Sequence, residues 1–146
     1  MIDRDAVGAE GTPFEMRIEA GKIAEFARAV HARHQAHAGE GAVVPATFLT
    51  SQFFWEERVD GGNPWHLAKM SQERGMHAEQ EYVFHGPPPR AGDRLSARSR
   101  VTRIWDKTSR SGRVLTFVEM TTEFRDDTGR LVAEAILTGV EPQEAT

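Results

Sequence analysis

The run from Val43 to Glu56, VVPATFLTSQFFWE, is the most apolar stretch of the sequence and constrains the fold more than any other. Pro45 suits the first turn of a helix, because the N–H that proline lacks has no helical partner there. The phenylalanine, leucine and tryptophan side chains that follow cannot share one narrow stripe, and a helix that is apolar over most of its circumference is buried. We therefore predict a long buried helix over residues 45–57, with the rest of the chain around it.

Two shorter elements are predicted before this helix. Phe14, Met16 and Ile18 alternate with charged residues, which predicts a short strand. Apolar residues then recur at helical spacing and predict an amphipathic helix from about Lys22 to Arg33. Residues 1–12 are predicted to form a flexible N-terminal arm, and a chain of 146 residues favours one domain, over residues 13–146.

From Met76 onward the apolar residues recur with a period of two, which predicts four strands of an antiparallel meander. Turn signals separate these strands, the strongest being Asp126-Asp127-Thr128-Gly129. The predicted architecture is α+β, with one antiparallel sheet wrapped around a long central apolar helix. Residues 59–75 are long for a plain connection and are predicted to form a short helical turn that acts as a lid or binding segment.

Charge and composition exclude several classes of protein. A net charge of −4 argues against a general nucleic-acid or anionic-membrane binder, because both need a basic surface. The absence of cysteine excludes disulfide scaffolds, thiol catalysis and cysteine-based zinc sites. The sequence contains no apolar run long enough to span a membrane and no N-terminal secretory signal, so we expect a cytoplasmic protein.

Four phrases of the sequence, in this order along the chain, resemble the MaoC-like dehydratase N-terminal domain family: GKIAEFARAV, PATFLTSQFFWE, HAEQEYVFHGPPPRAGDRL and LTFVEMTTEFRDDTGRLVAEA. The resemblance is strongest to the non-catalytic subunit of two-subunit (3R)-hydroxyacyl-thioester dehydratases. It implies a hot-dog fold, a function in fatty-acid metabolism, and an acyl-coenzyme A or acyl-carrier-protein thioester as ligand. It also implies a hot-dog homodimer, or a heterodimer with a catalytic MaoC-like subunit, and neither a cofactor nor a metal.

The resemblance places the substrate near the N-terminus of the central helix. Unpaired N–H groups at a helix start can stabilise a developing oxyanion, and here they would belong to Ala46, Thr47 and Phe48. Phe53, Trp55 and Trp65 are core residues on the simplest interpretation. They are also candidates for binding the acyl chain, because an apolar channel needs the same residue types.

Active hydratases of this superfamily carry the motif Gly-Asp-x-Asn-Pro-x-His shortly before the central helix, and the Asp and His act as general acid–base groups. By position, the His of the motif falls on His37 and the Asp falls on Ala32, which cannot carry a proton. One of the two catalytic groups is therefore missing. Either His37 works with another acid such as Glu40, or it is an ordinary polar residue near a helix end.

Other constellations give weaker signals. The segment DGGNPWH, residues 60–66, echoes the motif but has one residue too many and follows the central helix. His31, His34 and His37 lack the spacing of a metal-binding helix, so they are interpreted as surface residues. Arg94, Arg98 and Arg100 are interpreted as a solvated strand face, with the phosphates of a coenzyme A or carrier-protein ligand as the alternative.

The function predicted from the sequence is that of a hydro-lyase subunit. The chain shapes the acyl-thioester site of an enoyl-thioester hydratase or (3R)-3-hydroxyacyl-thioester dehydratase, and a partner chain supplies the Asp–His pair. One alternative is a self-sufficient homodimeric hydratase that uses His37. Another is a non-enzymatic module that binds acyl thioesters.

Overall fold

A five-stranded antiparallel sheet in the strand order β1-β3-β4-β5-β2 forms the body of the protein in a computed structural model, which describes residues 1–71 and 73–143. The strands are β1 (Phe14–Arg17), β2 (Met76–Phe84), β3 (Arg94–Thr108), β4 (Val114–Arg125) and β5 (Leu131–Pro142). The predicted first strand and all four later strands are present, but only β3, β4 and β5 form a meander. The prediction of a four-strand meander was wrong for β2, which pairs with β5 at the far edge of the sheet and not with β3. The α+β class and the antiparallel sheet are confirmed.

The first helix, α1 (Ala20–Ala29), is shorter than the predicted Lys22–Arg33. It ends because Val30 closes the last turn and His31 takes a left-handed conformation with φ 56°. Ile23 and Ala27 are buried, as the predicted helix face requires, and Phe26 packs edge-on against Phe48 with ring centroids 5.4 Å apart. His34 lies beyond the helix.

The central helix differs from the prediction in both length and orientation. It consists of a 3₁₀ segment, Phe48–Gln52, followed by one α-helical turn, α2 (Phe53–Glu56). Phe54 is 67% exposed, whereas Glu56 is completely buried. A 3₁₀ segment has three residues per turn instead of 3.6. The side chains that face the sheet are therefore not the ones that α-helical spacing would place there.

The core lies between this central helix and the sheet. Phe48 and Leu49 of the helix belong to one cluster of buried residues with Ala133 and Ala135 of β5. The small alanine side chains allow the helix to approach the sheet closely, as the sequence predicted. A second, smaller cluster combines Val101 and Val118 with residues from the N-terminus and from residues 59–75.

The N-terminal residues are packed along β3, which differs from the flexible arm expected from the sequence. Gly8 N–H donates to Val101 O over 2.8 Å, and Gly11 N–H donates to Ser99 O over 2.9 Å. This segment and β1 together cover the outer edge of β3, so the described sheet ends at the short strand β1 on one side and at the longer strand β2 on the other. In the part of the chain that the structure describes, we find no helix with the length and hydropathy needed to cross a bilayer.

Candidate functional site

His37 lies in a 3₁₀ turn, Gln35–His37, directly before the strand-like segment that leads into the central helix. Its Nδ1 atom is 2.7 Å from the carbonyl oxygen of Val43, and Val43 N–H donates to Ala36 O over 2.7 Å. A carbonyl oxygen can only accept, so Nδ1 carries the proton in this contact. In the neutral imidazole, Nε2 is then an unprotonated nitrogen with the character of a general base.

The acid that would complete the catalytic pair is missing beside His37. Ala32 stands at the position of the motif's Asp, and Glu40 is exposed. Among the residues that the structure describes, His37 makes no hydrogen bond or ion pair with any Asp or Glu. The nearest ring is that of His34, 6.1 Å away between centroids, and its Nδ1 accepts from Ala36 N–H.

The start of the central helix is a turn from Pro45 to Phe48. Phe48 N–H donates to Pro45 O over 2.9 Å, and Thr47 has φ −103° and ψ 8°, the values of the third residue of a type I turn. Ala46 and Thr47 are exposed, and within residues 1–71 and 73–143 neither of their N–H groups has a hydrogen-bond partner. Two of the three predicted oxyanion donors are therefore available, whereas the N–H of Phe48 is occupied and its ring is buried in the core.

A half-open apolar cleft of about 250 Å³ lies between the central helix, the sheet and residues 63–71, which we call the lid segment. Of the three apolar residues predicted to bind substrate, Phe53 and Trp65 line this cleft, and Trp55 packs against the main core cluster instead. The remaining lining residues are Asn63, Met70, Ser71, Gly75, Met76, His77, Met120, Leu137 and Gly139.

Trp65 takes its position from a turn and from a glycine. Asn63 Oδ1 accepts from Trp65 N–H over 2.8 Å and caps the 3₁₀ turn Pro64–Ala68, and His66 Nδ1 lies 2.8 Å from Asn63 O. The Trp65 ring packs against Gly139 of β5 so closely that a Cβ on this glycine would lie 2.6 Å from the ring. Residues 60–66 thus lead into the lid segment. Asn63 bonds to Trp65 and His66, and Gly61 O accepts from Thr12 N–H over 2.7 Å.

Two charged contacts hold the lid segment on the body. Glu141, which is buried, accepts from Ser71 N–H over 2.8 Å and from Arg74 Nη2 over 2.6 Å. Burial opposes ionisation of Glu141, but the hydrogen bonds from Ser71 and Arg74 outweigh it and keep the pKa of this carboxyl below its ordinary value. Two residues earlier in the chain, Lys69 Nζ donates to Asp3 over 2.9 Å, and Asp3 N–H donates to Ala68 O over 2.9 Å.

Sequence reasoning missed a polar cluster beneath the central helix, formed by Gln52, Glu56, Ser99 and Thr122. All four residues are buried, and Ser99 and Thr122 face each other across β3 and β4. Two signals pointed to it. Gln52 and Glu56 are one helical turn apart inside the most apolar run, and Ser99 and Thr122 occupy inward positions of their strands.

The remaining candidates take ordinary structural roles. Arg94 pairs with Glu15 at 3.1 Å, and Arg98 pairs with Glu10 at 2.9 Å, on an exposed strand face. Over residues 1–71 and 73–143, no three histidine, aspartate or glutamate side chains are grouped so that they could bind a metal ion.

Comparisons with known proteins agree with this fold. The family model FAS1-like, dehydratase domain region matches residues 5–135. The chain is 26% identical to a chain of the C-terminally truncated HadBC (3R-hydroxyacyl-ACP dehydratase) complex from Mycobacterium tuberculosis, with a TM-score of 0.71 over 93% of this chain and 97% of that chain. A comparison with curated protein sequences found no match.

Two further structures extend the likeness. A MaoC-like dehydratase is 24% identical, with a TM-score of 0.74 over 93% of this chain and 42% of that longer chain. A chain of the ChsH1–ChsH2 complex from Mycobacterium tuberculosis is 14% identical, with a TM-score of 0.67 over 97% and 92% of the two chains. The protein therefore has the hot-dog fold of MaoC-like dehydratases and belongs to the family of FAS1-like dehydratase domain regions.

Proposed function

We propose that this protein is a subunit of a cytoplasmic enoyl-thioester hydratase or (3R)-3-hydroxyacyl-thioester dehydratase, and that a partner hot-dog chain supplies the Asp–His pair. The observation that carries the proposal is the incomplete acid–base pair. Among the residues that the structure describes, His37 has no acid partner, whereas the N–H groups of Ala46 and Thr47 are unpaired and Phe53, further along the central helix, lines an apolar cleft. A binding surface without a complete acid–base pair is what a substrate-shaping subunit needs.

The chemistry assigns separate tasks to the two chains. In dehydration, the partner's base removes the proton from the carbon next to the thioester carbonyl, and its acid protonates the leaving hydroxyl group. Negative charge develops on the thioester oxygen meanwhile. The N–H groups of Ala46 and Thr47 would stabilise this charge by donating to the oxygen, because they are aligned at the start of a helix.

The cleft would hold the acyl chain. Its volume of about 250 Å³ is slightly below the roughly 300–1,000 Å³ of typical small-molecule sites, so it would hold a short acyl chain. Phe53 and Trp65 would contact this chain from opposite sides, one from the central helix and one from the lid segment.

The partner would bind at the free edge of β2. A strand edge with unpaired N–H and C=O groups is a template for pairing with another chain. Phe54 of the central helix and Met76 of β2 are apolar and are 67% and 58% exposed. HadBC and ChsH1–ChsH2 are complexes of two named chains with this fold, which supports a hot-dog partner here.

The test is hydration of a short trans-2-enoyl-coenzyme A, followed by the loss of the conjugated-thioester absorbance. We expect no activity from the protein alone and activity when a MaoC-like chain with an intact Asp-x-Asn-Pro-x-His motif is added. The partner's own activity is measured separately and subtracted. Activity of the isolated protein that His37→Ala abolishes would contradict the subunit proposal.

One observation favours a second candidate function, the homodimeric hydratase. The Val43 carbonyl fixes the tautomer of His37 and leaves Nε2 as a base, so a carbonyl could replace the orienting group of the usual pair. Such an enzyme would be active alone and would lose activity on His37→Ala. Binding of the thioester without turnover, with or without the partner, would instead indicate the acyl-thioester binding module.

A further inference from the structure

The buried polar cluster is a chain of three side-chain contacts between the central helix and the sheet. Gln52 Nε2 donates to Thr122 Oγ1 over 2.8 Å, Thr122 Oγ1 lies 2.8 Å from Ser99 Oγ, and Ser99 Oγ contacts Glu56 Oε1. Gln52 and Glu56 are four residues apart, so their side chains are neighbours on the helix and the two ends of this chain lie side by side. Glu56 and Ser99 have no exposed surface, and Gln52 and Thr122 are 3% and 1% exposed.

One further contact, between the Gln52 amide and the Glu56 carboxyl, would close this chain into a ring. Such a ring needs four protons, and the Gln52 amide nitrogen, the Thr122 hydroxyl and the Ser99 hydroxyl can place one each. If Gln52 donates to Thr122, Thr122 to Ser99 and Ser99 to Glu56, these three protons are used in the three contacts. Gln52 Oε1 and Glu56 Oε2 then remain as buried oxygens without a hydrogen-bond partner, which native interiors seldom tolerate.

We infer that Glu56 is a neutral carboxylic acid in the folded protein, and that its proton completes the ring and fastens the central helix to β3 and β4. With Gln52 in the stated orientation, Glu56 Oε2–H donates to Gln52 Oε1. The inference survives reversal of the Gln52 amide, an assignment that rests on the hydrogen-bond network. In the reversed ring, Gln52 donates to Glu56, Thr122 to Gln52 and Ser99 to Thr122, so the contact with Ser99 again needs a proton from Glu56.

The electrostatic surroundings support the neutral form. An ionised carboxylate in an apolar interior needs a cation or several donors, and no ion pair involves Glu56 among the residues that the structure describes. Burial is the largest influence on this carboxyl and raises its pKa; the hydrogen bond that Ser99 donates acts in the opposite direction.

The charged residues of the neighbouring elements are consistent with a neutral Glu56. On the central helix, Glu57 is exposed and negative, so it also disfavours ionisation of Glu56. The elements packed beneath the helix place their charges at the surface instead: Glu15 and Arg17 on β1, Arg98 and Arg100 on β3, and Glu123 on β4. The inference concerns the fold and does not depend on the proposed activity.

The experiment compares thermal unfolding of the full chain and of two variants between about pH 5 and about pH 9. Glu56→Gln keeps the shape of the neutral acid and supplies an N–H in place of its O–H. Glu57→Gln removes an exposed carboxylate from the next residue and is the matched control. We expect the melting temperature of the wild type and of Glu57→Gln to fall as pH rises, while Glu56→Gln shows a smaller fall and melts at or above the wild-type temperature at neutral pH.

The opposite result would overturn the inference. If Glu56→Gln melts lower than the wild type at neutral pH and keeps the same pH dependence, Glu56 is ionised in the native state. If Glu56→Gln does not fold, carbon-13 NMR of the wild-type glutamate carboxyl groups decides. A Glu56 carboxyl that stays protonated through neutral pH supports the inference, and one that titrates in the ordinary range of glutamate refutes it.

Discussion

The imidazole of His37 donates its Nδ1 proton to the carbonyl oxygen of Val43, 2.7 Å away, and not to a carboxylate. A general base that is oriented by a neutral carbonyl lacks the charge that would stabilise its protonated form. If the partner supplies the acid–base pair, replacing His37 should cost little. Loss of a general base typically lowers the rate by about 10²–10⁴. We expect His37→Ala to lower kcat/KM of the assembled complex by far less than about 100-fold.

The control for this prediction is the His of the partner's own motif. Its replacement by alanine should lower the rate of the complex by at least about 100-fold. His34→Ala tests the neighbouring ring, which is exposed and should not matter. A loss of similar size from His37→Ala and from the partner variant would show that this chain contributes its own base.

The turn at Pro45 offers a direct test of the proposed oxyanion donors. Ala46 is the second residue of a type I turn, the position that proline favours, so Ala46→Pro removes one N–H without an unfavourable φ. Loss of one such donor typically lowers kcat by about 10²–10³. We expect a decrease of this order in the complex, with KM changed much less.

Ala46→Ser keeps the N–H and serves as the matched control. Circular dichroism and thermal unfolding establish whether both variants retain the fold. Full activity of a folded Ala46→Pro variant would remove Ala46 from the oxyanion site.

The contact between Trp65 and Gly139 predicts how the lid segment responds to one added methyl group. A Cβ at residue 139 would lie 2.6 Å from the Trp65 ring, so Gly139→Ala must displace the ring or the strand. Overpacking of this kind costs about 1–3 kcal/mol in the free energy of unfolding. Chemical denaturation and near-ultraviolet circular dichroism should report both the loss and the new environment of the tryptophan.

Gly21→Ala is the comparison for this substitution. Gly21 lies in α1, and an added Cβ would have no described atom within 4 Å apart from the adjacent residues and the helix's own backbone. The free energy of unfolding should stay equal or rise by about 0.5 to 1 kcal/mol, because alanine suits a helix better than glycine. Equal effects of the two substitutions would contradict the close contact with Trp65.

The sequence predicted the sheet well because its signals are local. The alternating residues of β3 and β4 and the Asp126–Gly129 turn specify strand pairing over short distances. The Asp126 side chain accepts from Thr128 and Arg130, which lowers the pKa of its carboxyl to about 2 and stabilises the turn. Such a turn can be recognised without knowledge of the rest of the fold.

The orientation of the central helix could not be predicted in the same way. Hydrophobicity alone places Phe54 inside and Glu56 outside, and the structure has the reverse. Ser99 and Thr122, about 45 and 70 residues away in the chain, provide the hydroxyl groups that make burial of Gln52 and Glu56 possible. The available N–H groups of Ala46 and Thr47 likewise follow from a turn that the apolar pattern does not specify.

The Glu141 carboxyl should make the lid segment sensitive to acid. Because its pKa is lower in the folded protein than in the unfolded chain, its stabilisation is fully present above the unfolded value of about 4.3 and disappears as pH falls through the folded value. We expect Glu141→Gln to lose about 1–3 kcal/mol at neutral pH, since Arg74 loses its charged acceptor. Its stability should also vary less with pH on the acid side.

Hydrogen exchange of the lid segment and denaturant unfolding at several pH values measure this effect. Glu25→Gln provides the control, because the pair of Glu25 with Lys22 is exposed and 3.9 Å long. Exposed pairs contribute about 0–1 kcal/mol, so this variant should follow the wild type. Faster exchange in Glu25→Gln than in Glu141→Gln would refute the role of Glu141 in holding the lid.

Substitution of Phe54 should affect the stability of the complex much more than the stability of the folded chain. Its ring is 67% exposed, so Phe54→Ser removes little buried surface from the isolated chain, and the free energy of unfolding should change by no more than about 0.5 kcal/mol. Aromatic residues at the centre of an interface often contribute more than 1 kcal/mol to binding. We therefore expect Phe54→Ser to weaken self-association or binding of a hot-dog partner by about tenfold or more, measured by analytical ultracentrifugation.

Val30 provides the control for this prediction. It is also an exposed apolar residue, at 45%, but it lies at the end of α1. Val30→Ser should leave both folding and association unchanged. If the two serine variants weaken association equally, the effect follows from general surface hydrophobicity; if neither does, the partner binds elsewhere. A loss confined to Phe54→Ser would place the interface beside the central helix, next to the cleft that the partner would complete.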